Sequence, residues 1–366
     1  MPLLREPGAP PPYQQIREIL REEVLDGMAS GSRIAAEREL ARRFGANRAT
    51  ISRAIASLVT EGLLVRKVGR GTFVADGDDG TGKTLTRSVG LVMPYIQGVF
   101  PAGMIRSAVR ELRERGYKAV LYDSEDSVAE ETSELERLVQ ENLDGGLVMP
   151  VERRDNIPLF NRLARIGVPL VFIDRKPLDL ECDLVATDNA WGAYQAVSRL
   201  IERGHTRIAH FTWLTERWCT SIRDRRSGYE QALIDHGIEV DPELICPPSV
   251  HPDEGFLFKH SLAYLRSGNR PVTAVFCVHD HFVLAAASAC QQLGLRVPED
   301  VELSGFFDES FRPADTPVLK VVQNQEEIGR LGADLLVRRI EGKELAHHQN
   351  ISVKPQIVDM LSPVFA

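Results

Sequence analysis

Three observations predict an α/β protein with a winged helix-turn-helix ahead of two doubly wound lobes. Three short helical patterns and then two strands occupy the start of the chain. A polar stretch, DGDDGTGKTLTR at 76–87, interrupts the pattern. From Ser88 onward, apolar runs of strand length alternate with amphipathic helical runs, which implies parallel sheets covered on both faces.

The elements follow in order. Residues 1–12 are Pro-rich. The first helix is expected from Tyr13 to Asp26, with Ile16, Ile19, Leu20 and Val24 on one face. The second runs from Ala36 to Phe44 and ends in a tight Gly45-Ala46 turn. Asn47 supplies an N-cap for the third, Arg48–Glu61, whose inner face is Ile51, Ala54, Ile55 and Leu58. Strands at Leu63–Arg66 and Thr72–Val74 form a hairpin around Gly69-Arg70-Gly71. In the body, strands are expected at Val89–Met93, Ala119–Tyr122, Gly146–Met149, Leu170–Ile173, Ile208–Phe211, Ala274–Val278 and Val301–Gly305. Helices such as Met104–Arg115, Glu130–Glu141, Tyr194–Arg203, Ser227–His236, Phe282–Leu293 and Glu326–Ile340 lie between them. So many strands favour two lobes over one sheet, and ligands then bind at the carboxyl ends of the strands. The resulting organisation is a head at 1–75, a linker at 76–87 and a body at 88–366.

Composition narrows the function. The 366 residues are 43% hydrophobic and 26% charged, ordinary for a soluble globular chain. No apolar run approaches the ~20 residues of a membrane span. The start, MPLLREPGAPPPYQQ, lacks the apolar core of a signal peptide, so a cytoplasmic protein is expected. Five cysteines without CxxC spacing read as free buried thiols. The net charge of −8 is uneven: residues 1–75 carry 12 Lys and Arg against 8 Asp and Glu, whereas the remainder carries 32 against 44. A basic head on an acidic body suggests that the head meets a polyanion.

In a winged helix-turn-helix the second helix of the pair enters the major groove by its N-terminal end. Here that end carries Asn47, Arg48 and Thr50, then Ser52 and Arg53. Arginines suit guanine edges or phosphates, and the polar residues suit phosphates or base edges. Arg70 at the hairpin tip suits a minor groove. A solvated basic face on a helical bundle fits the charge pattern equally well. The stretches YQQI at 13–16, AERELARRFGANRATISRAI at 36–55, EGLLVRK at 61–67 and GRGTFVA at 69–75 resemble the N-terminal domain of the GntR family. That resemblance implies that Arg38, Arg48, Thr50, Gly69 and Gly71 lie at double-stranded DNA. Two departures stand out. Ala35-Ala36 replaces the usual Pro-Ser, removing a helix cap, and the family's arginine at Ser52 is displaced by one residue to Arg53.

Residues 88–366 resemble the effector domain of LacI-type repressors, which share the fold of periplasmic sugar-binding proteins. The matching stretches include SVGLVMPYIQGVF at 88–100, LDGGLVMP at 143–150, VPLVFIDR at 168–175, ATDNAWGAY at 186–194, RRSGYEQAL at 225–233, LGLRVPEDVELSGF at 293–306 and NQEEIGRLGADLL at 324–336. A GntR-type head on such a body is similar to the arabinose repressor group. The resemblance implies a periplasmic-binding-protein-like body, a small-molecule effector between the lobes, a carbohydrate as its class, and a homodimer. It places Phe100, Asp174, Arg225 and Asp280 at the effector. Each also has a plainer reading: helix cap for Asp174 and Asp280, surface charge for Arg225, core packing for Phe100. Where the family has Gly-Tyr/Phe-Asp, this chain has Gly305-Phe306-Phe307-Asp308, so Asp308 is the candidate carboxylate one residue late. The usual Asn-Asp pair is His279-Asp280. One of Trp191, Trp213 and Trp218, in loops or near strand ends, is a candidate for stacking on a sugar ring. LacI relatives carry a hinge helix between head and body, and none is expected in 76–87.

Two competing signals are weaker. Gly77 to Thr84 fits GxxxxGKT, but a phosphate loop needs a core strand before it and a helix after it. An ATPase or sugar kinase using Lys83 is therefore the alternative, and a regulator without catalytic residues the expectation. His279-Asp280-His281 has metal-ligand types, yet consecutive side chains are expected to diverge there. No metal and no cofactor are expected.

Overall fold

The computed structural model describes residues 11–29, 31–60, 63–67, 70–75, 85–97, 99–213, 219–246, 254–266, 271–308, 316–343 and 347–360. The head consists of α1 (Pro12–Gly27), α2 (Glu37–Phe44), α3 (Arg48–Thr60), β1 (Leu64–Lys67) and β2 (Gly71–Val74). Leu40 and Phe44 stand one turn apart on α2 and are buried with Ile16, Leu20, Ile51, Ile55 and Leu58. Each such side chain contributes ~1.5–3 kcal/mol by leaving water. Gly45 ends α2 at φ 60, the left-handed conformation that glycine adopts without strain. Asn47 caps α3 as expected, its Oδ1 accepting from the Thr50 N–H at 2.8 Å. Ala36 precedes α2 with no side-chain cap, the consequence of the missing serine. The strands pair antiparallel, Leu64 opposite Val74 through Lys67 opposite Gly71.

Two six-stranded sheets form the body. The first has the order β13-β7-β6-β5-β3-β4 and is wholly parallel in its described pairs. It uses β3 (Ser88–Met93), β4 (Lys118–Asp123), β5 (Gly146–Val148), β6 (Leu170–Ile173), β7 (Asp183–Thr187) and β13 (Asn350–Val353). The second has the order β14-β12-β11-β10-β8-β9, with only β14 antiparallel. Its strands are β8 (Ile208–Phe211), β9 (Ile245–Cys246), β10 (Ala274–Cys277), β11 (Glu302–Asp308), β12 (Leu319–Gln323) and β14 (Gln356–Asp359). Strands β5, β8, β10 and β11 are buried at every residue, as strands covered by helical layers on both faces should be, with Glu302, Ser304, Asp308 and His210 the polar residues among them.

The chain crosses between lobes three times. After β7 it enters α7 (Asn189–Glu202), which packs on α8 (Thr220–Asp235) in the second lobe. After β12 it returns through α11 (Gln325–Ile340), packed on α4 (Val99–Glu114) in the first. The third crossing joins β13 to β14 through Lys354 and Pro355. The remaining helices are α5 (Val128–Gln140), α6 (Ile157–Arg165), α9 (Glu254–Arg266) and α10 (Asp280–Leu293).

Helices α4, α7 and α8 begin five to seven residues before the expected Met104, Tyr194 and Ser227. Their first turns, Val99-Phe100-Pro101-Ala102, Asn189-Ala190-Trp191-Gly192 and Thr220-Ser221-Ile222-Arg223, mix small, polar and single large residues, so the sustained apolar periodicity that marks a helix does not begin there. Trp191 consequently lies inside α7 rather than in a loop. The end of the linker is anchored, because the N–H groups of Thr86 and Arg87 donate to the Asp144 carboxylate at 3.1 and 2.8 Å. Lys83 and Gly69 lie outside the described residues.

Candidate functional site

On the head, the start of α3 is open to solvent. Asn47 and Arg48 are exposed, the Arg48 side chain at 83%. Glu37 of α2 bridges two cations: its Oε2 accepts from Arg48 Nε at 3.1 Å and its Oε1 from Arg66 Nη2 at 3.0 Å. Exposed pairs of this kind are worth ~0–1 kcal/mol, so Glu37 holds the two cations only weakly. Arg66 also donates to Ser52 Oγ at 3.2 Å, which puts Ser52, Arg48 and Arg66 on one face. Sequence reasoning passed over Arg66, although it stands in the EGLLVRK stretch.

Arg53 does not join that face. Five residues of helix rotate a side chain about 140° from Arg48. Its guanidinium lies 4.0 Å from the ring centroid of Tyr13 on α1. Thr50 Oγ1 donates to Asn47 Oδ1 at 2.8 Å, so these two polar residues first serve the helix start. Arg38 and Arg70 are exposed. Gly71 has φ 115, and a Cβ there would fall 2.7 Å from Arg33 Nε. The glycine is required by its backbone, whereas the exposed guanidinium packed on it can move aside.

Between the lobes, Asp174 follows β6 at φ 66, a strained conformation for a residue with a side chain. It is 3% exposed. Its Oδ2 accepts from Arg175 Nη1 at 3.1 Å, while its Oδ1 is buried with no hydrogen-bond partner among the described residues. Arg175 is fixed by Nε to the Pro150 carbonyl at 3.0 Å. Burial pushes the Tyr95 hydroxyl up to about 12, against the pull of Arg175.

Arg225 faces this group from α8 in the second lobe. It is buried rather than a surface charge, donating to Asn189 Oδ1 at 2.8 Å, the Val278 carbonyl at 2.5 Å and Gln323 Oε1 at 3.0 Å. It lies 3.9 Å over the Phe306 ring. Burial pushes its guanidinium down to about 10, opposed first by the charge of Asp174. Gln323 ends β12 and Asn189 begins α7, so Arg225 ties together two of the three crossings. Thr187, the last residue of β7, donates its hydroxyl to the same Gln323 oxygen at 3.1 Å. Asn189, Gln323 and Thr187 were missed, although Thr187 and Asn189 stand in the stretch ATDNAWGAY and Gln323 directly precedes NQEEIGRLGADLL. The lobes also meet directly: Thr220 N–H donates to the Lys176 carbonyl at 3.1 Å, and Lys176 N–H to Thr220 Oγ1 at 3.2 Å.

The other candidates divide. Asp280 opens α10 and accepts from the His281 N–H at 2.8 Å and contacts His279 Nδ1 at 2.5 Å, the local role of a helix-start carboxylate. The histidines do not diverge as expected: the donor atoms of His279, Asp280 and His281 all lie within 4.8 Å, because the chain turns from strand to helix there. That carboxylate is already engaged, and the positive end of a helix disfavours a cation. Asp308 ends β11 and is buried. Alternation along β11 sends Phe307 into the core of the second lobe and Phe306 beneath Arg225. Phe100 lies in the first turn of α4, its side chain outside the described residues. Trp213 packs on Phe282 at 4.7 Å and Trp191 under Lys354 at 5.0 Å, while Trp218 lies outside the described residues.

Comparison with known proteins bears on this geometry. Residues 12–74 match the profile of bacterial regulatory proteins of the gntR family, and residues 197–361 match a periplasmic binding protein-like domain. The arabinose metabolism transcriptional repressor of Geobacillus stearothermophilus is 26% identical over 355 residues, 95% of this chain and 96% of that protein. The chain is a ligand-responsive, DNA-binding transcriptional regulator, homologous to these repressors. Another relative, the transcriptional repressor PurR of Mannheimia succiniciproducens, is 28% identical over 275 residues, 75% of this chain and 80% of that one. Among solved structures, a complex of the transcriptional regulator CelR with cellobiose superposes with a TM-score of 0.65 at 26% identity, covering 89% of this chain and 98% of that one. The crystal structure of a putative ribose operon repressor from Burkholderia thailandensis gives 0.65 at 26%, covering 75% and 99%. The regulator is thus not an enzyme, and its partners are DNA and a small-molecule effector. No helix among the described residues is long and apolar enough to cross a membrane.

Proposed function

We propose that the protein is a homodimeric repressor of a carbohydrate-metabolism operon, working in the cytoplasm. Residues 1–75 bind the operator, 76–87 link, and 88–366 bind the effector and dimerise. One observation carries the effector's class: Asp174 Oδ1 is a buried acceptor without a donor, set in a cleft opposite Arg225. A hydroxyl-rich ligand supplies what that oxygen lacks, and a buried acceptor left unmade costs ~1–3 kcal/mol. The names of the relatives, arabinose repressors and a cellobiose complex, support the same class.

Binding at Asp174 and Arg225 stabilises one lobe angle, and the ligand acts only through its different affinity for the two states. Arg48, Ser52 and Arg66, with Arg38 and Arg70, supply the DNA face, and Asn47 and Thr50 the polar start of α3 beside it. A thermal-shift screen against sugars, sugar phosphates and nucleobases tests the assignment. A sugar that raises Tm in the parent and not in Asp174→Ala is the expected result. A response confined to nucleobases contradicts the carbohydrate class.

A further inference from the structure

A cavity of about 240 Å³ opens in the first lobe, at the beginnings of β6 and β7 and hence at the end of the sheet away from Asp174. Its floor is apolar: Phe160, Val168, Leu170, Phe172 and Leu180. Phe160 and Phe172 meet edge to face at 5.0 Å. The polar wall is satisfied from within. Arg339 donates to both oxygens of Asp183 at 2.7 Å, and Asp183 Oδ1 also accepts from the Gln349 N–H at 2.7 Å. A charged ligand therefore gains no counter-ion there, and Glu181 on the rim repels an anion. Asn161 and the half-exposed His348 remain at the mouth to exchange one hydrogen bond.

We propose that this cavity is a second small-molecule site, separate from the interlobe cleft, which takes a compact uncharged aromatic ring bearing one hydroxyl or amine. An apolar cavity of about 150 Å³ takes benzene, so this one accommodates a substituted ring. Ile166, next to the lining residue Gly167, packs both on the lobe core around Phe160 and on the core of the head. An occupant that shifts the end of α6 changes what the head rests on. That consequence rests on the regulator reading, whereas the binding itself does not.

The test titrates the full chain, with leucine methyl groups labelled, with p-cresol. The expected result is saturable shifts at Leu170 and Leu180. Ala164→Phe, on the exposed face of α6 at the cavity wall, weakens binding by about tenfold or more. Asp174→Asn in the cleft leaves it unchanged. The carboxylated analogue p-hydroxybenzoate binds more weakly than p-cresol. Absence of saturable shifts at the two leucines overturns the proposal, and so does loss of binding in Asp174→Asn with retention in Ala164→Phe. Tighter binding of the anion overturns the ligand class. If Ala164→Phe fails to fold, the methyl shifts of the parent chain decide.

Discussion

Replacing Arg225 by methionine tests the hinge most sharply. The guanidinium serves three buried acceptors, on Asn189, Val278 and Gln323. Leaving each without a donor costs ~1–3 kcal/mol, roughly 3–9 kcal/mol in sum. Against this stands the relief of a buried charge: lowering the arginine from 12.5 to about 10 corresponds to about 3 kcal/mol. Methionine keeps most of the contact with Phe306. The net expectation is a loss of roughly 0–6 kcal/mol, about 3 kcal/mol at the middle of that range, in denaturant unfolding of the full chain, with loss of the effector response. Because Gln323 also holds Thr187, the first and second crossings loosen together, and protection of the amides around 187–189 and 323–325 from hydrogen exchange falls with it. A stability change below about 1 kcal/mol, with unaltered exchange at both crossings, refutes the reasoning.

Further outcomes follow from other residues. Asp174→Gly relaxes the strained backbone at φ 66, so Tm is expected to hold or rise while effector binding is lost; retention of the effector removes Asp174 from the site. Thr220→Val deletes the acceptor used by Lys176 and loosens the contact between lobes by about 1 kcal/mol, read as a shift in the ligand-free small-angle scattering profile towards a more open form. An unchanged profile contradicts that role. His210 is buried against Tyr229 and Phe276, and burial pushes it from 6.5 down to about 3. Below pH 6.5 the unfolded chain therefore binds a proton that the native state refuses, and stability falls by up to about 1.4 kcal/mol per pH unit. Glu131, raised by burial from 4.5 to about 7, acts with the opposite sign between these values. The two slopes offset each other from about pH 6.5 to 4.5, and His210 acts alone below. His210→Gln should flatten the loss below pH 4.5, and an identical profile in parent and variant contradicts the assignment.

The sequence made the two doubly wound lobes legible because buried parallel strands are continuous apolar runs. It left β7, β9, β12, β13 and β14 unread. Strands such as Asn350–Val353 and Gln356–Asp359 lie at sheet edges, half exposed, and carry no apolar run. Asp174 was legible as a strand-end carboxylate, but its unmatched oxygen depends on contacts between residues far apart in sequence. Arg225 was read from resemblance. Its partners Asn189 and Gln323 were not, since a hinge is a meeting of three crossings that no local pattern records. On the head the shift of arginine from position 52 to 53 was visible, while its stacking on Tyr13 and the appearance of Arg66 in its place required the packed helices.

The most direct measurement is a titration of a labelled fragment from the gene's own control region, repeated over a range of salt concentrations with and without the sugar found by thermal shift. Log affinity is expected to fall linearly with log salt, Arg48→Ala to weaken binding by about 1–3 kcal/mol without altering sugar affinity, and the sugar to change operator affinity in the parent. Binding that ignores salt, or an operator affinity identical with and without bound sugar, contradicts that expectation.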